Sequence, residues 1–158
     1  MRSVTMRVEV AGMGPEEVYG RIARFEDYRR HTATVREVEV TESSALGSRS
    51  KWEVNFRDGI LRWQEVDRFF PEERAIRFEA TGGDLDMFAG SWSVEEAGEG
   101  ALITFQAEFD LGLSTLNEMV EPIADEALRE TIDDILAGLT DGRSKVVEGE
   151  AASSVVRS

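Results

Sequence analysis

The feature that most constrains this 158-residue chain is a change of hydrophobic period near Leu113. From Val38 to Leu111 apolar and polar residues alternate, the pattern of strands with one buried face. Gly47, Gly59, Pro71, Gly82-Gly83, Gly98 and Gly100 interrupt the alternation at turn positions, which divides the stretch into roughly six strands. Beyond Leu113 the period becomes 3.6, and Leu116, Met119, Val120, Ile123, Ala127, Leu128, Thr131, Ile132, Ile135 and Leu139 share one helical stripe. Hairpin-length connections leave no room for βαβ crossovers, so the sheet is expected to be a curved antiparallel meander. Its apolar face and the helix stripe have to bury against each other, which predicts an α+β domain.

The flanks fit the same plan. Val4, Met6, Val8 and Val10 alternate with Thr5, Arg7 and Glu9, predicting a first strand. Gly14-Pro15-Glu16-Glu17 reads as a helix start, with Pro at the first helical position, followed by Val18, Ile22 and Phe25 on one face. A second short helical turn carries Tyr28. Ser114 is the expected N-cap of the long helix, Pro122 kinks it or opens its main segment, and Gly142 ends it. Residues 1–142 thus form one domain. The stretch 143–158 holds no sustained period and is expected to be a disordered tail.

Composition narrows the chemistry. Eighteen basic and 32 acidic side chains give a formal charge of −14, which argues against nucleic acid as a partner. With no cysteine and one histidine, the usual zinc and iron–sulfur ligand sets cannot be assembled, and no metal is expected. Asp84-Leu85-Asp86 lacks the remainder of a calcium loop. Gly12-Met13-Gly14 runs into Pro15, and Gly98-Glu99-Gly100 joins two strands, so neither is a phosphate loop. No apolar run is long enough to span a membrane, and Met1 to Ala11 lacks a signal-peptide core. A cytoplasmic protein is expected.

The block Gly83-Asp84-Leu85-Asp86-Met87-Phe88-Ala89-Gly90-Ser91-Trp92-Ser93-Val94, then Phe105-Gln106-Ala107-Glu108-Phe109-Asp110-Leu111 ahead of the long helix, resembles the START-like helix-grip superfamily. Within it the likeness is to the polyketide cyclase/aromatase and coenzyme-Q-binding branch, and it runs from about Met6 to Leu139. The resemblance implies a curved sheet wrapped around the C-terminal helix with an internal cavity. It implies a small-molecule ligand, a polyketide or other apolar aromatic compound, with a polyketide synthase carrier protein as a further partner and no cofactor. Two activities go with it. One is aromatase/cyclase chemistry, in which a poly-β-ketone is held and directed through aldol closure with loss of water; the other is non-catalytic carriage of a quinone, lipid or other flat apolar metabolite.

In aromatase/cyclases of this kind an inward arginine serves the enolate oxygen, and the resemblance sets Arg68 at that position. The family's cavity tyrosine aligns with Val35, and its polar helix positions fall near Ile123 and Thr131. The strand from Ile60 to Phe70 has two faces, one with Ile60, Arg62, Gln64, Val66, Arg68 and Phe70, the other with Leu61, Trp63, Glu65, Asp67 and Phe69. If the first faces inward, Arg62, Gln64, Val66 and Arg68 line the cavity, and a guanidinium there would hold a β-diketone or a developing enolate. His31 is the one side chain whose ordinary pKa is near neutrality and is the candidate for proton transfer. Trp52, Val54, Phe56, Phe78, Phe88, Trp92, Phe105 and Met119 are expected to supply the apolar wall, together with Val35, Ile123 and Thr131. An ordinary filled core is the alternative reading of the same aromatics.

Overall fold

The computed structural model describes residues 2–57, 59–110 and 121–148. Its elements run β1 (Arg2–Val10), α1 (Pro15–Ala23), α2 (Tyr28–His31), β2 (Val35–Ser43), β3 (Gly47–Phe56), β4 (Gly59–Phe70), β5 (Ala75–Gly83), β6 (Met87–Ala97), β7 (Gly100–Asp110), α3 (Glu121–Leu139) and β8 (Ser144–Glu148). Single 3₁₀ turns lie at Phe25–Asp27 and Pro71–Glu73. Among the described residues the strands form one eight-stranded antiparallel sheet, ordered β2-β3-β4-β5-β6-β7-β1-β8. The expected α+β helix-grip fold is the one observed: six consecutive meander strands, with β1 pairing β7 and the long helix across the concave face.

Alternation decides what is buried. Val4, Met6, Val8 and Val10 of β1 are all inside, facing Ala124, Ala127, Leu128, Ile132, Ile135 and Leu139 of the helix stripe in one continuous core. Such burial of apolar surface is the main stabilising contribution to a domain of this size. At Gly90 the strands β6 and β7 come so close that a Cβ would fall 2.0 Å from the carbonyl oxygen of Gln106, so a side chain there would push β6 off β7. A strand glycine often marks such a close backbone approach.

One expectation is revised. Ser144–Glu148 is not part of a disordered tail but an edge strand on β1, with Val8 opposite Val146 and Val10 opposite Ser144. The tight turn after α3, with Gly142 at φ 80°, returns the chain to the sheet, and five residues were too few to show a period in sequence. Ser114 and Met119 lie outside the described residues. So does residue 58, while the backbone of Pro122 and Ile123 is helical.

Candidate active site in the cavity between sheet and helix

Between the concave face and α3 lies a cavity of about 70 Å³. Its wall takes Trp52, Val54 and Phe56 from β3, Phe78 from β5, Phe88 and Trp92 from β6, and Phe105 from β7. Thr131 contributes from α3 beside Leu128, Ile132 and Ile135, its hydroxyl donating to the Ala127 carbonyl at 2.8 Å. The rings interlock: Trp92 and Phe105 centroids are 4.6 Å apart, Phe78 and Phe88 4.9 Å, and Trp52 stacks on Trp63 at 6.0 Å and 7°. This volume holds a few water molecules but is smaller than the several hundred Å³ typical of ligand pockets, so a ring system is accommodated only with movement of wall side chains.

The polar part of the wall comes from β4, and here the hairpin register is decisive. Phe56 pairs with Gly59, which sets Val54 opposite Leu61, Trp52 opposite Trp63, Ser50 opposite Glu65 and Ser48 opposite Asp67. Directly opposed residues share a face, so Leu61, Trp63, Glu65 and Asp67 point inward. Arg62, Gln64, Val66 and Arg68 point outward, against the arrangement that places them in the cavity. Arg62 is exposed and pairs with Glu53 at 3.3 Å. Val66 and Arg68 lie along a groove on the convex surface, with Arg68 directly across from Arg77. The physical reason is the asymmetry between acids and guanidiniums. A carboxyl can enter an apolar wall by holding a proton, whereas an arginine cannot shed its charge.

Glu65 and Asp67 are accordingly almost wholly buried, at 6% and 1% exposure. The Asp67 carboxylate oxygen Oδ2 accepts from Ser50 Oγ at 2.7 Å and Ser48 Oγ at 3.1 Å. Ser50 in turn accepts from Trp52 Nε1 at 2.9 Å, and Glu65 Oε1 accepts from Trp63 Nε1 at 2.8 Å. Burial first, then the hydrogen bond and charge of Asp67, push the Glu65 carboxyl well above its ordinary 4.5, although the indoles of Trp63 and Trp52 act in the other direction. Asp67 Oδ1 takes no hydrogen bond from any N–H or hydroxyl donor. The Glu65 carboxyl is within hydrogen-bonding reach of Asp67 and donates once protonated. The pair therefore sets a carboxyl that favours its protonated form beside one held by two hydroxyls. Tyr28 completes this end of the cavity. Its hydroxyl donates to the Ile22 carbonyl at 2.7 Å, and burial, with the charges of Glu65 and Asp67 adding to it, pushes the phenol well above 10.0.

Other expected residues lie elsewhere. His31 ends α2, half-buried, with its carbonyl packed against Gly138 of α3, and is not on the cavity wall. Val35 is buried at the start of β2 without reaching the cavity. Met119 and the side chain of Ile123 are outside the described part. Residues missed in sequence include Glu65, Asp67, Trp63, Leu61, Phe25 and Tyr28. The β3–β4 register could have found the first four, because a two-residue turn after Phe56 necessarily puts them on the face of Trp52.

Residues 1–141 match the model of a family described as polyketide cyclase / dehydrase and lipid transport. No curated protein matches in sequence. Among solved structures the chain is similar to TTHA0849 from Thermus thermophilus, with 23% identity over 97% of this chain and 100% of that one and a TM-score of 0.81. It is similar to the ZhuI aromatase/cyclase from a Streptomyces species, with 14% identity over 89% and 92% of the two chains and a TM-score of 0.77. A START superfamily protein from Mycobacterium smegmatis gives 14% identity, coverage of 89% and 96%, and a TM-score of 0.74.

Proposed function

The chain belongs to the polyketide cyclase / dehydrase and lipid transport family, and on that premise we propose that it binds a poly-β-ketone in the cavity and promotes its regiospecific aldol cyclisation and dehydration. The observation that carries this reading is the Glu65–Asp67 pair on an aromatic wall, an acid and a base side by side. Asp67 removes a proton from the carbon between two carbonyls, and the C–H electron pair becomes the enolate. The neutral Glu65 carboxyl hydrogen-bonds the developing oxyanion, a role for which a carboxyl kept protonated by an apolar site is suited. The enolate carbon attacks a second carbonyl, a C–C bond forms, and the pair returns its proton to the new alkoxide. In the dehydration Asp67 takes another α-proton while the hydroxyl leaves with a proton as water, so the pair ends as it began. The interlocked rings limit the folds the chain can adopt.

This replaces the assignment of enolate stabilisation to Arg68 and of proton transfer to His31, since neither reaches the cavity wall. The test is to add purified protein to a poly-β-ketone generated in place by a minimal polyketide synthase and to compare the ring-closure products. A redirected product distribution that Asp67→Asn abolishes is the expected result; an unchanged distribution with the wild-type protein overturns the reading.

The second reading is a non-catalytic carrier of a quinone, lipid or other flat apolar metabolite. It is favoured by the near-complete apolarity of the wall outside the acid pair and by the lack of any Arg, Lys or His on the described wall. A co-purifying apolar ligand in native mass spectrometry, released unaltered, would favour it.

A further inference from the structure

Arginine pairs with carboxylates at several places on the surface of this protein, yet no Arg, Lys or His lies on the described cavity wall. The Glu65–Asp67 pair sets two buried carboxyl groups side by side in an apolar surround with no cationic side chain opposite them. Two serine hydroxyls and the indole N–H of Trp63 stabilise it, and Asp67 Oδ1 takes none of them. A buried charge is costly without a counter-charge. The surrounding rings offer the complementary half of such a site. Trp52, Trp63, Phe25, Tyr28 and Phe88 present π faces or edges within one connected cluster, with Tyr28 5.3 Å from Trp52 and Trp63 5.6 Å from Phe88. Aromatic faces attract a cation most strongly where water is excluded.

We propose that the cavity selects ligands bearing a protonated amine, with the ammonium donating to Asp67 Oδ1 and Glu65 while the carbon body of the ligand packs among the aromatic rings. This rests on the reading that the cavity is the ligand site, and it adds the chemical class of the group recognised. It also reverses the polarity expected when an arginine faces inward. An arginine there would draw an anionic group, whereas this wall offers acceptors to a cationic one. Tyr28 is the one titratable group facing the pair from the elements around it; the described wall residues of β3, β5, β6, β7 and α3 carry none.

Benzylamine and benzyl alcohol have nearly the same shape and differ in charge, which makes them the probes. Calorimetric titration at neutral pH should show benzylamine binding about tenfold tighter or more, as a desolvated ammonium between carboxylates and aromatic faces implies. In Asp67→Asn the preference should fall to about parity. Equal affinities in the wild-type protein, or a preference that survives in folded Asp67→Asn, overturn the proposal. Should Asp67→Asn not fold, the wild-type comparison of benzylamine with benzyl alcohol decides alone. Benzyl alcohol binding without benzylamine binding refutes amine selection and leaves the cavity as a ligand site. Binding of neither refutes both.

Discussion

Ser50 stands directly opposite Glu65 in the β3–β4 register, yet its hydroxyl donates diagonally to Asp67 at 2.7 Å. This one choice separates the two acids chemically. Asp67 gains a second hydroxyl on the oxygen already held by Ser48, while Glu65 keeps an indole N–H and the shared bond to Asp67. Ser50→Ala should destabilise the protein by about 1–3 kcal/mol, since it strips a charge-assisted bond from a buried carboxylate and leaves Trp52 Nε1 without its acceptor. Ser48→Ala should cost less, its bond being longer. Urea denaturation of the two variants gives the order, and a larger loss for Ser48 would contradict the diagonal assignment.

The raised pKa of Glu65 makes stability depend on pH with a definite sign. Above about 4.5 the unfolded chain has released this proton while the folded protein still holds it. The folded state then binds more protons, so this group's contribution is complete below the unfolded value and is lost as pH rises through the folded one. The slope cannot exceed about 1.4 kcal/mol per pH unit for a single group. Glu65→Gln keeps the neutral shape and removes the titration. Its stability relative to wild type should therefore rise between pH 5 and pH 8; parallel curves would mean that Glu65 is ionised in the folded protein.

Arg68→Ala is expected to leave cavity binding unchanged. The side chain is on the convex face, directly across from Arg77 of β5. Like charges so placed repel, so its removal should alter stability by no more than about 0.5 kcal/mol, in either direction. Tryptophan fluorescence titration with a planar aromatic ligand, set beside Asp67→Asn, separates the two faces of β4. Weakened binding in Arg68→Ala and none lost in Asp67→Asn would restore the opposite orientation.

That strand also shows how far the sequence could be read. The meander, the long helix and the aromatic wall followed from periodicity, because Trp52, Val54, Phe78, Phe88, Trp92 and Phe105 recur at spacings that only one face satisfies. β4 defeated the same argument, since both of its faces mix apolar with charged residues and periodicity alone cannot rank them. The turn between Phe56 and Gly59 settles the matter through register, a relation between two strands and not a property of either one. Tyr28 and Phe25 reach the cavity because α2 and the turn before it fold over the end of the sheet, which is tertiary placement with no period of its own. β8 was too short to announce itself and is defined by its partner β1.

The placement of Tyr28 depends in turn on a helix crossing. At Gly138 the backbone of α3 comes so near the end of α2 that a Cβ would sit 2.2 Å from the His31 carbonyl oxygen and 3.0 Å from Thr32 Cβ. Alanine is favoured over glycine within a helix by about 1 kcal/mol, but forcing two backbones apart in a packed core costs typically about 1–3 kcal/mol, and the obstacle here is a main-chain oxygen that cannot rotate away. Gly138→Ala should therefore be destabilising by about 1 kcal/mol or more. α2 has four residues, from Tyr28 to His31, so a displacement at His31 is transmitted to the Tyr28 ring and thence to Trp52, 5.3 Å away. Chemical denaturation and the emission maximum of Trp52 in a Trp63→Phe, Trp92→Phe background should both shift. A variant as stable as its parent with unaltered emission would mean that the crossing relaxes freely and that Tyr28 is held by its bond to Ile22 alone.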